Sequence, residues 1–246
     1  MANFLAIVTA RMSSSRLPGK VMMEVNNTPL IKILVDRVKK SKLINDVVVS
    51  TTTNNKDDIL VNYLKKKKIK FFRGSENNVT KRVIETAKNL KSKNIILITG
   101  DCPLIDFNLM DQCIRTFKSN NVQLVTNANI RSYPDGMDVQ VFKTRTLINF
   151  YNNISNKKEF EHVTLSIRRR IAKDQIINII APENIRFPKI GLTIDEINDF
   201  KLIKKIINYF KSKNKKFFTC QEILKYLSSN KNLLNINKFV KRKGDK

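Results

Sequence analysis

The sequence of 246 residues has no apolar run near the roughly 20 residues that a membrane-spanning helix needs, so no membrane insertion is expected. Its first 11 residues are apolar but lack a basic leader and run directly into a motif, which favours a buried strand over a signal peptide. The three cysteines are widely spaced and odd in number, which argues against a disulfide framework and a CxxC metal pair. A reducing cytoplasm is therefore the expected location.

Acidic residues are also scarce, since 21 acids accompany 47 basic residues and the net charge is +26. Such a charge is typical of proteins that bind nucleic acid or anionic membranes. However, the basic residues are mostly lysine and are spread along the chain without the interleaved aromatic residues of a nucleic-acid platform. We therefore predict no nucleic-acid partner. The lysine runs at 65–68 and 213–216 are predicted to be a solvated helix end and an exposed turn.

Hydrophobic residues make up 41% of the chain, and strand-like runs alternate with helical spacing in the first half. Strands are predicted over residues 4–9, 47–51, 69–72 and 95–98. Helices are predicted from residue 30, from about residue 57 and over residues 79–90, with Thr28 capping the first and Pro29 at its first position. This order predicts an α/β fold in which helices cover a mainly parallel sheet.

The second half of the sequence is less regular. Strands are predicted over residues 138–142, 176–180 and 190–194, and a helix over residues 199–210. A capping box at Thr219 and Glu222 predicts a last helix that continues to residue 227. The remaining residues, 231–246, form a polar and basic C-terminal tail that is expected to fray.

The loop after the first predicted strand, from Arg11 to Lys20, is the strongest functional signal. Its small hydroxyl residues let backbone N–H groups turn toward a phosphate, and its two arginines and lysine suit charge-assisted bonds to a polyphosphate. The loop lies beyond the carboxyl end of a strand, where open α/β sheets bind ligands. It is not a Walker P-loop, because the GxxxxGK spacing is absent. An ordinary basic loop is the alternative.

Two acids follow apolar segments that end at the same predicted edge of the sheet. Asp101 comes shortly after the strand that ends at Ile98, and Asp195 follows the segment 190–194. Mg²⁺ is typically held by one or two carboxylates together with phosphate oxygens. The pair therefore favours a magnesium site against a bound triphosphate, although each acid alone is also common in turns.

The motifs ARMSSSRLPGK, TGDCPLID, YPDGMDV, EHVT and LTIDEINDF occur in this order over roughly residues 3–210. The chain thereby resembles cytidylyltransferases of the spore coat polysaccharide biosynthesis protein F type, relatives of 3-deoxy-manno-octulosonate and acylneuraminate cytidylyltransferases. The resemblance implies a three-layer αβα nucleotide-diphospho-sugar transferase fold, CTP and an acidic sugar as substrates, Mg²⁺ as cofactor, a CMP-sugar product and a homodimer. It also implies a single domain over residues 1–230, with a nucleotide part to about residue 130 and a sugar part after it.

Site residues follow from the resemblance, position by position. Nucleotide binding is expected of Ala10, Arg11, Ser13, Arg16, Lys20, Arg73, Ser75 and Glu76. Arg11, Arg16, Lys20 and Asp101 are expected to be catalytic, and Asp101 and Asp195 to bind the metal. Asp135, Asp138, Glu161 and the single histidine, His162, are expected near the sugar.

The sequence departs from the pattern of these relatives at four positions, where it has Asn27 for Gly, Gln140 for Glu, Phe160 for Arg and Gly191 for Arg. Three of the four lie in the second half of the chain. They therefore bear on which sugar is bound rather than on the phosphate chemistry. Two alternatives stay open: a transferase of the same fold with another nucleotide or sugar, and a non-catalytic protein that binds polyanions.

Overall fold

The computed structural model describes residues 3–154 and 156–242. The strands in these residues are β1 (Phe4–Thr9), β2 (Glu24–Val25), β3 (Thr28–Pro29), β4 (Asp46–Thr52), β5 (Phe71–Gly74), β6 (Asn94–Thr99), β7 (Leu124–Thr126), β8 (Gln140–Lys143) and β9 (Ile176–Asn178). The helices are α1 (Leu30–Val38), α2 (Asp58–Lys66), α3 (Val79–Asn89), α4 (Phe107–Ser119), α5 (Thr144–Tyr151), α6 (Lys157–Glu161), α7 (Leu165–Arg170), α8 (Ile197–Ser212) and α9 (Cys220–Ser228). Seven strands form one sheet in the order β5-β4-β1-β6-β8-β7-β9.

The first half of the chain builds the parallel part of the sheet. β1 pairs in parallel with β4 and with β6, and β4 pairs in parallel with β5. Alternate residues of β1 enter different cores: Ala6 packs in one cluster and Ile7 in the other, and both are fully buried. Apolar strands without alternation are what a sheet covered on both faces requires. The predicted α/β fold with a mainly parallel sheet between helical layers is confirmed.

The boundaries in this half agree closely with the predictions, with two exceptions. β5 begins at Phe71 rather than at residue 69, because Ile69 N–H still bonds to Leu64 O at the end of α2. Thr28 does not cap α1: it belongs to β3, and Pro29 is the N-cap residue, without a side-chain cap. The first N–H of the helix, that of Leu30, instead bonds to Met23 O at 2.9 Å.

A short hairpin joins β2 to β3 through Asn26 and Asn27, whose φ angles are 52° and 59°. A two-residue turn with both residues left-handed matches the twist of the strands, and asparagine tolerates this conformation better than most residues. Asn27 therefore meets the backbone requirement that explains glycine at this position, and the departure leaves the hairpin intact.

In the second half, β8 runs antiparallel to both β6 and β7, while β9 is parallel to β7. The predicted strand 190–194 is wrong, since this segment makes only an isolated bridge between Gly191 and Asp135. The sequence analysis missed β7, which has three residues, and the helices α4 to α7.

Residues 231–242 are ordered, so the prediction of fraying is wrong for this part of the tail, and residues 243–246 lie outside the described residues. A 3₁₀ turn at Lys231–Ile236 contacts α8 and α9, and Asn237 and Val240 are buried. The two lysine runs are exposed as predicted. The predicted capping box of α9 is present, with Thr219 and Glu222 each bonded to the other's backbone N–H. Across the described ranges, no helix is both long and apolar enough to cross a membrane.

Candidate active site

The loop from Arg11 to Lys20 follows the carboxyl end of β1, and a buried acid anchors its start through a hydrogen bond. Asp57 is fully buried and accepts a hydrogen bond from Met12 N–H at 2.7 Å. Its other oxygen accepts from Thr51 Oγ1 and from the backbone and side chain of Thr52 at 2.6 to 2.9 Å. Burial opposes ionisation, but these hydrogen bonds keep the pKa of Asp57 below its ordinary value. The anion thus fixes the start of the loop to the end of β4.

Glycines allow the ends of β1 and β6 to approach each other. Gly100 N–H bonds to Thr9 O at 2.8 Å, and a Cβ at Gly100 would lie 2.8 Å from the same oxygen. Gly19 adopts φ 73°, a left-handed conformation, just before the 3₁₀ turn that begins at Lys20. The close approach at Gly100 and the left-handed turn at Gly19 together bring Lys20 to Asp101, which is 81 residues away in the chain.

The ammonium group of Lys20 lies among three oxygen atoms. Its Nζ is 3.2 Å from Asp101 Oδ2, 2.5 Å from the carbonyl oxygen of Ile194 and 3.6 Å from Asp195 Oδ1. Ile194 N–H in turn bonds to Asp101 O at 2.8 Å, which ties the two acidic segments together. The expected pairing of Asp101 with Asp195 at one edge of the sheet is therefore present.

Arg16 reaches the same cluster from the other end of the loop. Its Nη2 lies 2.6 Å from Asp195 Oδ1, and its Nη1 donates to the carbonyl oxygen of Lys241 at 2.6 Å. Two cations and two carboxylates thus alternate over the carboxyl ends of the strands. Ala10, the last residue before the loop, is buried beneath them.

The two carboxylates differ in their electrostatic surroundings. Burial favours the neutral acid at Asp101, but the charge of Lys20 and hydrogen bonds from Thr99 and Lys20 hold its pKa below the ordinary value. Burial raises the pKa of Asp195 above its ordinary value. The positive charge of Lys20 acts in the opposite direction, but the negative charge of Asp101 offsets part of that effect. The thiol of Cys102, directly after Asp101, is also buried, and burial raises its pKa well above the ordinary value.

A second group joins the start of the loop, at Arg11 and Ser13, to Glu76. Ser13 Oγ donates to Glu76 Oε1 at 2.6 Å, Asn54 Nδ2 donates to Glu76 Oε2 at 2.7 Å, and Arg11 Nη1 lies 3.4 Å from Glu76 O. The hydrogen bonds from Ser13 and Asn54 lower the pKa of Glu76. These contacts tie the start of the loop to the segments that follow β4 and β5.

Arg73 and Ser75 are engaged in local structure. Arg73 donates to Thr52 O at 2.8 Å and to Asn54 O at 3.0 Å, and it pairs with Asp58 at 2.7 Å. Ser75 Oγ accepts from Asn78 N–H at 3.1 Å, just before α3. Both residues therefore hold the loops on either side of Glu76 in place.

Asp135 and Asp138 lie together around one arginine. Arg131 Nη1 is 2.5 Å from Asp135 Oδ1, and Arg131 Nη2 is 3.5 Å from Asp138 Oδ2. Burial raises the pKa of Asp138 to about 6, against the attraction of Arg131. Gly136, at φ 104°, lets this turn lie directly on residue 192, since a Cβ there would be 2.5 Å from the carbonyl carbon of Leu192. The turn is thereby joined to the segment that leads into Asp195.

Glu161 and His162 lie apart from this pair, at the end of α6, where both are exposed. In the part of the chain that the structure describes, no hydrogen bond or ion pair joins either of them to Asp135 or Asp138. The arginine expected at position 160 is replaced by Phe160, whose ring packs 6.3 Å from that of Tyr151. The structure therefore does not assemble the four predicted sugar residues into one cluster.

The sequence analysis did not identify the acidic residues and the arginine that support the site through hydrogen bonds and ion pairs. Asp57 and Asp199 are fully buried and each connects two segments of the site, whereas Arg131 pairs with the two acids of one turn. Asp199 Oδ2 accepts from the backbone N–H groups of Asp195 and Glu196 at 2.9 and 3.0 Å. Asp199 was visible as part of a motif that opens a helix, but its partners could not be read from spacing.

The donor set at Asp101 and Asp195 suits Mg²⁺ that arrives with a polyphosphate. Among residues 3–154 and 156–242, no group of three or more histidine, cysteine or acidic side chains is placed to hold a metal by itself. Mg²⁺ commonly uses one or two carboxylates and completes its shell with waters and substrate phosphates. Asp101 and Asp195 already converge on one cation, the Lys20 ammonium, and their carboxylates match this type of Mg²⁺ coordination.

Comparison with known proteins identifies the family of the chain. The sequence profile of a cytidylyltransferase family matches residues 5–233. The chain is 32% identical to the spore coat polysaccharide biosynthesis protein SpsF of Bacillus subtilis, over 94% of this chain and 96% of that protein. It is 27% identical to the 3-deoxy-manno-octulosonate cytidylyltransferase of Fusobacterium nucleatum, over 65% of this chain and 70% of that protein.

A solved cytidylyltransferase from Leptospira borgpetersenii superposes with a TM-score of 0.90 at 29% identity, covering 98% of this chain and 100% of that chain. The likeness extends through both the parallel and the mixed part of the sheet. The chain therefore belongs to the cytidylyltransferase family.

Proposed function

We propose that the protein transfers the cytidylyl group of CTP to an acidic sugar and releases pyrophosphate. The observation that carries the proposal is the convergence of Lys20, Arg16, Asp101 and Asp195 over the carboxyl ends of β1 and β6. Cations on a basic loop and carboxylates on the facing segments are the two parts that a triphosphate with a divalent ion requires.

In this reaction the anomeric hydroxyl oxygen of the sugar forms a bond to the α-phosphorus. The bond from the α-phosphorus to the pyrophosphate oxygen breaks, and the hydroxyl proton is released. Lys20 and Arg16 would stabilise the charge that grows on the leaving pyrophosphate, a contribution that increases as the bond breaks. Arg11 and Ser13, beside Glu76, would orient the nucleotide.

Asp101 and Asp195 would hold Mg²⁺ together with phosphate oxygens. When bound, the ion would neutralise phosphate charge and act as a Lewis acid. The lowered pKa of Asp101 keeps this carboxylate ionised at neutral pH, as a metal ligand needs. Lys20 would exchange its contact with Asp101 for one with the triphosphate.

The sugar would lie on the side of Asp135 and Asp138. These two acids alone would repel an acidic sugar, and the Arg131 guanidinium between them offsets this repulsion. An acidic acceptor is further supported by the net charge of +26 and by the name of the Fusobacterium relative, a 3-deoxy-manno-octulosonate enzyme. The departures at Gln140, Phe160 and Gly191 leave room for a different acid from that of this relative.

We also propose a cytoplasmic location, supported by three cysteines that are all buried as free thiols. The homodimer expected from the resemblance remains a prediction, which sedimentation of the purified protein would measure.

The direct test is incubation of the purified protein with CTP, Mg²⁺ and a panel of octulosonic and nonulosonic acids, followed by product mass and pyrophosphate release. A CMP-sugar with one or more acids is the expected result. ATP, GTP and UTP in parallel would identify another nucleotide. Pyrophosphate release with a neutral sugar but with no acid would contradict the acidic acceptor, and no turnover with any pair would favour a polyanion-binding protein.

A further inference from the structure

The segment 231–242 passes over the candidate active site and contacts it at three points. Arg242 Nη2 lies 2.8 Å from Asp199 Oδ1, and Arg242 Nε lies 3.4 Å from Asp135 Oδ2. The carbonyl oxygen of Lys241 accepts the hydrogen bond from Arg16 at 2.6 Å. This short segment therefore contacts the loop from Arg11 to Lys20, the turn that holds Asp135 and Asp138, and the start of α8.

Gly191 provides the space that Arg242 occupies. A Cβ built on Gly191 would lie 1.8 Å from Arg242 Nη2 and 2.1 Å from Cζ, so a side chain at position 191 and the present position of Arg242 exclude each other. The φ angle of Gly191 lies outside the left-handed region, so its backbone tolerates alanine. A cavity of about 330 Å³ adjoins Gly191 and Arg242, which gives a displaced guanidinium somewhere to go.

The carboxylate of Asp199 links Arg242 to the turn that carries Asp195. One oxygen of this carboxylate accepts from Arg242 and from Asn237 Nδ2, each at 2.8 Å. The other oxygen accepts the N–H groups of Asp195 and Glu196. Since Asp199 is fully buried, its charge needs these partners, and the loss of one weakens the hold on the others.

We infer that the segment 231–242 is part of the active site and that Arg242 is a positioning residue which, through Asp199, fixes the turn that carries Asp195. The inference rests on the proposed function for its catalytic consequence, because Asp195 is there a ligand for the divalent ion. Its structural content, the link from Arg242 to the Asp195 turn, stands independently of the substrate.

The structural content is tested by amide hydrogen exchange at residue resolution in wild type, Arg242→Ala and Gly191→Ala. Both variants are expected to speed the exchange of the Asp195 and Glu196 amides, while amides of β1 keep their protection. Lys238→Ala is the matched control, because it removes an exposed charge from the same segment and its side chain lies over Phe239. Unchanged exchange at residues 195 and 196 in both variants would overturn the inference.

The catalytic consequence is tested by steady-state kinetics. Arg242→Ala is expected to lower kcat by about 10- to 100-fold, as is common when a residue supporting a metal ligand is removed. Gly191→Ala should have a similar effect, and the double variant should be no slower than Arg242→Ala alone. Arg242→Lys should recover part of kcat. Effects of Gly191→Ala and Arg242→Ala that multiply would show that the two residues act separately, which would overturn the inference.

A double-mutant cycle with Asp195→Asn tests whether the effect of Arg242→Ala on kcat depends on Asp195. In an Asp195→Asn background, Arg242→Ala should lower the residual rate by less than twofold, and a full further loss would contradict the inference. If the wild-type protein makes no CMP-sugar, the proposed function fails, yet the exchange of the Asp195 and Glu196 amides still decides whether Arg242 holds this turn.

Discussion

The nucleotide side and the sugar side of the candidate site differ in how completely their predicted residues come together. On the nucleotide side, Lys20, Asp101 and Asp195 meet within 3.6 Å although they come from three distant parts of the chain. On the sugar side, Asp135 and Asp138 share Arg131, but Glu161 and His162 lie exposed at the end of α6. In the proposed reaction the phosphate chemistry is the same for every acceptor, so the residues on the sugar side would set the specificity.

The largest expected effect comes from removing a carboxylate on the nucleotide side. Asp101→Asn and Asp195→Asn should each lower turnover by at least about 100-fold, or about 3 kcal/mol, because each loses a charge that the divalent ion needs. Steady-state kinetics with circular dichroism as a folding check would measure this. Asp174→Asn, which changes an exposed acid, should behave as wild type. Near wild-type turnover in either site variant would remove that residue from the metal site.

Next in size is the contrast between Lys20→Ala and His162→Ala. Lys20→Ala should lower kcat with every acceptor by about 2–4 kcal/mol in activation free energy, since its charge meets the leaving pyrophosphate. His162→Ala should leave CTP binding by calorimetry close to wild type, because His162 is exposed at the end of α6, away from Lys20 and the loop that carries it. If CTP affinity were lost in His162→Ala and kept in Lys20→Ala, the two sides of the site would be assigned the wrong way round.

A smaller effect on stability is expected from Asp138. Its pKa in the folded protein is about 6, above the value of about 4 for an unfolded aspartate. Between these values this carboxyl binds more protons in the folded state than in the unfolded state, so the contribution of Asp138 to stability falls as pH rises from about 4 to about 6. Thermal unfolding across this range should show a shallower fall in Asp138→Asn, whereas Asp174→Asn should keep the wild-type slope. Identical slopes in wild type and Asp138→Asn would refute the raised pKa.

The smallest effect is expected from the lysine run 65–68. Changing all four to glutamine lowers the net charge by four but touches only exposed side chains at the end of α2. The kcat and the KM for CTP at physiological salt should stay within about twofold, because charges far from the site are screened there. A collapse of activity in a folded variant would instead make this run part of a binding surface.

The sequence predicted best what depends on local pattern. The strands β1, β4 and β6 are continuous apolar runs, and their parallel pairing follows from the helices between them. The meeting of Asp101 with Asp195 was also within reach, since both follow apolar segments that end at one edge of the sheet.

What the sequence could not predict depends on contacts between distant residues. Residues 190–194 are apolar enough for a strand, but Gly136 brings a turn directly onto their backbone and leaves only one bridge. The segment 231–242 is polar and basic, which indicates fraying, yet its order depends on Asp199 and Gly191 some 40 to 50 positions earlier. Neither partner is recognisable without the fold.

The burial of Cys102 has a practical consequence for experiments on this protein. Its thiol is 3% exposed, directly follows Asp101, and has a raised pKa, so it presents little thiolate to an alkylating reagent. Cys113 and Cys220 are equally shielded, and burial raises the pKa of each to about 12. Modification by iodoacetamide therefore requires the chain to open, and the labelling rate at Cys102 reports how often the turn that carries Asp101 comes apart.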